Sequence, residues 1–251
     1  MTQRHLHIAD NYRALDTEIN EIERHFSSGK VTLHNQRNVI KQFELANRAV
    51  VVKSFKQPNA IQGWIYAKWR PSKARRSFEH AVRLEQLDVN THTPIAYSET
   101  RHRGRLTNSY FFSERIEHDF TIRDELLKDA EFDPLLLAAF VDFSFDLHEK
   151  QVLHLDHSPG NTLVKKTADG YRFSIIDINR MQFRPLTLHQ RMTNFCRLSN
   201  HVDVLRFIAN HYATLANADP DVCFGILRKQ QLRDDNARRR KRRLKAWLGQ
   251  P

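Results

Sequence analysis

The 251-residue chain carries 40 Lys+Arg against 29 Asp+Glu, a net charge of +11, and is 40% hydrophobic and 10% aromatic. A chain of this size buries roughly 75% of its unfolded surface, which excludes a disulfide-stapled miniprotein, and its hydrophobic content excludes wholesale disorder. The basic excess points to anionic partners: nucleic acid, phosphorylated ligands or an acidic membrane face.

The first ten residues are His-rich and polar, without the apolar core of a signal peptide, so Cys196 and Cys223 are expected as reduced cytoplasmic thiols. The longest apolar run, Leu135 to Val141, is 7 residues, against the roughly 20 that span a bilayer, so membrane contact is expected to be peripheral. With 7 glycines in all, a dedicated glycine-rich phosphate loop is hard to build.

In chain order, Tyr12, Leu15, Ile19 and Ile22 recur at spacings of three and four, and 1–25 is predicted as a polar helical extension. Short β-branched and aromatic runs at 31–33, 39–43 and 49–55 predict strands, with a hairpin at Ala46-Asn47-Arg48. Residues 72–87 read as a helix with Ala74, Phe78, Ala81 and Val82 on one face; strands follow at 95–100 and 106–113 across the polar turn 101–105. From Phe120 the period becomes helical. Residues 135–149 are apolar almost all round, the mark of a buried helix. A loop over 152–161 precedes a hairpin of 162–166 and 172–178 turned by Ala168-Asp169-Gly170. The stretch 186–232 is predicted helical, and 233–245 holds 8 Lys+Arg against 2 Asp, so about +6 of the net charge lies in a basic tail.

The loop His154-Leu-Asp156-His157-Ser-Pro-Gly160-Asn161 concentrates an acid, two imidazoles and an amide. His-x-Asp-His is part of a binuclear metallohydrolase ligand run, but Val152 stands where a further His is needed. Phosphoryl transfer suits the loop better. Asp156 and Asn161 have the D-x-x-x-x-N spacing by which a carboxylate faces an attacking hydroxyl while an amide holds a metal.

His154-x-Asp156-x4-Asn161 resembles the catalytic loop of protein-kinase-like enzymes, Val50-Val51-Val52-Lys53 resembles their V-A-I-K strand, and Ile175-Ile176-Asp177-Ile178-Asn179 sits where they carry D-F-G. Together with Arg37-Asn38, VVKSFKQP (51–58), SKARRSFEHA (72–81), HLDHSPGN and IIDINR (175–180), the chain resembles the bacterial lipopolysaccharide kinase family, the Kdo/WaaP group, from about residue 37 to 180. That resemblance implies an α+β, bilobal protein-kinase-like fold. An antiparallel N-lobe with one helix would span 26–116, a mainly helical C-lobe 117–232, and the basic tail 233–251. It further implies that Lys53 pairs with the α- and β-phosphates of ATP and is held by a helix carboxylate, Glu79 rather than Glu85. Asp156 would take the acceptor's proton, Asn161 and Asp177 would hold Mg2+, His154 would be structural, and the four site residues would converge on one pocket.

The sequence departs from the family of protein kinases in three places. No GxGxxG is present, only Ser27-Ser28-Gly29-Lys30. Ser158 replaces the lysine two residues after the catalytic Asp, leaving Arg180 to meet γ-phosphate charge, and no A-P-E follows Asp177. The expected activity is therefore ATP- and Mg2+-dependent phosphorylation of a sugar hydroxyl of lipopolysaccharide core or a related glycolipid, in the cytoplasm, peripherally at the inner membrane. Lys68, Arg70, Lys73, Arg75, Arg76 and the tail are candidates to meet phosphate, carboxylate or anionic lipid. A pseudokinase that binds a partner or nucleotide without turnover is the alternative; nucleic-acid binding through 238–243 lacks interleaved aromatics in the body and is not expected.

Overall fold

The structure, a computed structural model, describes residues 1–28, 31–35, 38–127 and 132–247. Gly29 and Lys30 of the expected loop and Arg37 lie outside the described residues. The chain forms two compact units: Met1–Glu117 with Ser174–Arg180, and His118–Phe173 with Met181–Pro251.

The first unit is built on strands β1 (Thr2–Ile8), β2 (Val31–Asn35), β3 (Val39–Leu45), β4 (Arg48–Ser54), β5 (Pro94–His102) and β6 (Arg105–Glu114), which form one antiparallel sheet ordered β1-β5-β6-β4-β3-β2. Between β3 and β4, Ala46 and Asn47 both take positive φ (48° and 61°), the two-residue turn whose twist matches its flanking strands. Helix α1 (Asp16–Arg24) and Tyr12 cover one sheet face, burying Ile19 and Ile22 against Val50, Val52, Ile95 and Phe112. Strand alternation puts Val51 and Lys53 on the other face. There α3 (Lys73–Gln86) packs, started by Ser72 Oγ accepting from Arg75 N at 3.0 Å, with Phe78 against Tyr97. Helix α2 (Ala60–Lys68), absent from the predicted elements, begins at Asn59, whose side chain accepts from Gln62 N at 2.9 Å.

The expectation of a helix across 1–25 is corrected. Residues 2–8 form β1 in register with β5 from Thr2↔His102 to Ile8↔Ala96. A period of two decides it: Leu6 and Ile8 pack toward the α1 cluster, while His5 and His7 lie over Tyr97. Only 16–24 of the predicted stretch is α-helical.

The second unit holds β7 (Phe120–Thr121), α4 (Arg123–Leu126), α5 (Pro134–Glu149), β8 (Val152–His154), β9 (Thr162–Thr167), β10 (Gly170–Ile175, its last two residues belonging with the first unit), β11 (Met181–Phe183), α6 (Leu188–Asn194), α7 (Val202–Ala216) and α8 (Pro220–Trp247). Asp133 caps α5 by accepting from Leu135 N and Leu136 N, with Pro134 in its first turn, where a missing N–H is harmless. The buried run read in the sequence is its core: Leu137, Phe140 and Val141 pack with Phe195, Leu205, Tyr212 and Leu227. The basic tail is no separate segment, because α8 continues unbroken through residue 232 to Trp247.

Two histidines are enclosed in this core. His148 accepts at Nδ1 from the Tyr212 hydroxyl (2.9 Å) and donates from Nε2 to Asn194 Oδ1 (3.2 Å); Asn194 in turn donates to the His154 carbonyl at 2.9 Å. Burial pushes the His148 imidazole down to about 4. His157 stacks on Phe140 with ring centroids 5.8 Å apart, and burial, then the neighbouring His154 and His148, hold it well below the usual range. Both stay neutral when folded, whereas in the unfolded chain each protonates near pH 6.5. The unfolded state therefore binds more protons below that pH, and stability present above it is lost as pH falls toward 4.

Two outcomes are expected. Phe140→Ala leaves a cavity at the centre of the second unit and lowers unfolding free energy by about 3–5 kcal/mol in urea titrations. Stability falls between about pH 6.5 and 4 by up to roughly 1.4 kcal/mol per pH unit for each histidine held neutral by burial, and His148→Gln removes one share of that slope relative to wild type. Identical slopes in the two proteins would refute the assignment.

Candidate functional site

In the first unit, Lys53 stands on β4, and Val50 and Val52, fully buried on the opposite face, fix the strand's orientation. Its side chain is 15% exposed and its Nζ donates to Asp177 Oδ1 at 2.5 Å, the Asp177 side chain being 29% exposed. The ammonium also lies 5.3 Å from the Phe55 ring centroid, a cation–π contact that limits its swing.

Asp177 adopts φ 56°, a left-handed conformation that favours glycine and costs of order 1 kcal/mol or more in other residues. The strain is held from both sides. Upstream, Ile175 N donates to Asn90 O (3.0 Å) and Ile175 O accepts from Thr91 Oγ1 (2.7 Å). Downstream, the 3-10 turn Ile178–Arg180 packs against α3, where His80 Nδ1 donates to Ile178 O at 2.7 Å. Burial lowers the His80 imidazole, so the neutral ring is the donor. Asn179 Nδ2 adds a 2.7 Å bond to Asp177 Oδ1, so one carboxylate oxygen receives both the ammonium and the amide.

Near this pair is His92, pushed down to about 4 first by burial and then by the Lys53 charge; its Nδ1 is enclosed and has no hydrogen-bond partner among the described residues. A neutral ring there leaves Lys53 as the local cation. Arg76, half-buried on α3, is lowered by burial and by the charges of Arg70 and Arg180, and its side chain reaches Ser72 O with a 3.4 Å contact from Nε. The turn after Asp177 thus lies in a positive environment.

The expected Lys53–Glu79 pair is not formed. Glu79 accepts from Arg75 Nε at 2.7 Å, a one-turn pair on the exposed flank of α3, because Ala74, Ser77, Phe78, Ala81 and Leu84 occupy the buried face. Glu85 does not take its place: it is exposed, with its carboxyl raised by partial burial against a hydrogen bond from Thr93. The partner of Lys53 is Asp177.

In the second unit, the loop carrying Asp156 and Asn161 leaves β8, which is clamped to β11 in the register His154↔Met181. His154 is buried and structural: its Nδ1 accepts the Asp156 backbone N–H at 3.1 Å. Asn161 Nδ2 donates to the Asp156 carbonyl at 2.8 Å, closing the loop across a separation of five positions and leaving the amide oxygen as its hard donor atom. Arg197 stands 3.5 Å from Asp156 Oδ1 and bonds Asp234 of α8 at 3.2 Å. Gly160 admits Arg123, since a Cβ there would lie 2.8 Å from the guanidinium.

The expected site residues are thus brought together as two pairs, Lys53 with Asp177 and Asp156 with Asn161. His80, His92, Asn179 and Arg197 were missed. Asn179 and His80 sit inside the quoted motifs, adjacent to the positions chosen; His92 and Arg197 have no local signal, because only tertiary packing gives them their neighbours. Among the described residues, no group of three or more His, Cys, Asp or Glu side chains is placed to hold a metal ion, and no helix is long and apolar enough to cross a membrane. Cys196 and Cys223 are free and buried.

No curated protein matches the chain. A similar solved structure is that of WaaP in complex with acyl carrier protein, with TM-score 0.63 and 20% identity over 92% of this chain and 98% of that one. At that identity the likeness speaks for the fold, a mixed helix and strand architecture of kinase-like type. A family model describing lipopolysaccharide kinases (Kdo/WaaP) matches residues 62–218, a span that includes Glu79, Asp156, Asn161 and Asp177 but not Lys53. The chain therefore belongs to the lipopolysaccharide kinase (Kdo/WaaP) family.

Proposed function

We propose that the protein is an ATP- and Mg2+-dependent kinase that phosphorylates a sugar hydroxyl of lipopolysaccharide core or a related glycolipid, with its two units acting as the two lobes of a kinase. The reading is carried by the 2.5 Å pair of Lys53 with a strained Asp177. A lysine on a central strand held by an acid after a later strand is what nucleotide phosphates and their metal require.

Lys53 would exchange Asp177 for the α- and β-phosphates of ATP, releasing the carboxylate. Asp177 of the first unit and Asn161 of the second would each offer an oxygen donor to Mg2+, a donor type that suits a hard cation, and the ion would neutralise phosphate charge. The Asp156 carboxylate accepts the acceptor hydroxyl's proton as its oxygen bonds to the γ-phosphorus, and the bond from that phosphorus to the β,γ-bridging oxygen breaks, releasing ADP. Arg197 holds Asp156 by charge, and within the first unit Arg180 and the half-buried Arg76 add positive charge beside the turn that follows Asp177. Action on a glycolipid would place the protein peripherally at the cytoplasmic face of the inner membrane.

Transfer of radiolabelled phosphate from ATP to purified core glycolipid tests the reading. Asp156→Asn should cut transfer by ~100- to 10,000-fold while ATP binding survives, and Lys53→Ala should weaken both. Equal transfer by wild type and Asp156→Asn would remove Asp156 from the chemistry; ATP binding without transfer to any core acceptor would favour the pseudokinase. In thermal melts, MgATP at 100 times its dissociation constant should stabilise the wild type by about 2.7 kcal/mol, and Asp177→Ala should lose the metal-dependent part.

A further inference from the structure

Helix α2 turns a stripe of large apolar side chains to solvent. Ile61 is 74% exposed, Trp64 45%, Ile65 37% and, at the cap, Trp69 83%. Their spacing of three and four places them along one side of the helix. The opposite side is held to the sheet at Gly63, where a Cβ would come within 3.0 Å of the Leu106 carbonyl, so the stripe is carried on a fixed ridge. A monomeric surface seldom presents such a run without a use.

The charge along this stretch of the chain has one sign. From Leu45 to Phe78 the sequence contains no Asp or Glu, and Arg70 follows Trp69 directly. Trp64 lies against Gly104, between Arg103 and Arg105 of the β5–β6 hairpin, and the Arg105 Cβ would be 3.5 Å from a Cβ at Gly63. Two tryptophans and two isoleucines turned outward along one side of a helix, with arginines in the neighbouring hairpin, match the interface of a bilayer: rings at headgroup depth, aliphatic side chains below, guanidinium groups on lipid phosphates.

We propose that α2 is a membrane-docking helix that lies in the plane of an anionic bilayer, with Ile61, Trp64, Ile65 and Trp69 inserted and Arg70, Arg103 and Arg105 on the headgroups. The proposal stands apart from the kinase reading, and its test uses neither nucleotide nor lipopolysaccharide. The full chain with Trp247→Phe, leaving Trp64 and Trp69 as the fluorophores, is titrated with vesicles of phosphatidylcholine containing about 30% phosphatidylglycerol, at about 0.1 M salt and again at about 0.5 M.

The expected result is a blue shift with co-sedimentation, weakened at the higher salt, and a partition coefficient at least about tenfold lower for Ile61→Ser/Trp69→Ser. Both positions are exposed, so circular dichroism and melting temperature should be unchanged. Arg70→Gln should weaken binding to anionic vesicles and leave that to pure phosphatidylcholine unaltered. The proposal is overturned if wild type does not bind anionic vesicles, or if the double variant binds them equally well. It is equally overturned if light scattering shows a dimer that the double variant dissolves, which would assign the stripe to a second copy, or if an acidic protein binds the stripe while vesicle binding is unaffected by its loss.

Discussion

The contact between Lys53 and Asp177 joins residues 124 positions apart and organises the first unit around it. Asp177 can hold a left-handed backbone only because Ile175 is tied to Asn90 and Thr91 on one side and Ile178 to His80 on the other. The segment 174–180 therefore clusters with the sheet of the first unit although the chain on either side of it belongs to the second. A partly buried ion pair of this kind is a poor stabiliser compared with apolar packing, since desolvation offsets much of its attraction.

The same logic separates the histidines. His154 is spent on its loop, His148 and His157 are neutral members of an apolar core, and His80 is a donor that pins a turn. None of these four is placed to act as a general base, and in the proposed chemistry that part falls to the carboxylate of Asp156, flanked by Arg197. Positive charge in the first unit is likewise divided. Arg75 is committed to Glu79, whereas the half-buried Arg76 feels the charges of Arg70 and Arg180 and, among the described residues, has no salt bridge to a carboxylate.

Local sequence carried most of the element order. The hairpin turn at Ala46-Asn47, the helix that begins after Ser72 and the apolar helix read as 135–149 are each decided by a few neighbouring residues, so pattern reading finds them, whereas the Asp133 cap emerges only in the structure. The motif HLDHSPGN likewise closes on itself through the Asn161 to Asp156 bond, a five-residue interaction visible as a spacing. Where two periodicities overlap, local reading failed: Tyr12 to Ile22 is compatible with a helix, and extending it back to residue 1 missed that Leu6 and Ile8 alternate with His5 and His7.

By itself, then, the sequence determined the candidates Lys53, Asp156, Asn161 and Asp177, the strand and loops that carry them, and an excess of positive charge, because spacing along the chain sets which side chains share a loop or a face. Tertiary structure decided the partners. Glu79 turns to Arg75 rather than Lys53 because the buried face of α3 is claimed by Phe78, Ala81 and Leu84, and a helix of fixed twist cannot present both. The outward stripe of α2 depends on Gly63 meeting Leu106, and the neutrality of His92 and His148 on the burial that surrounds them. Each of these results from packing between residues distant in sequence, which no local pattern records.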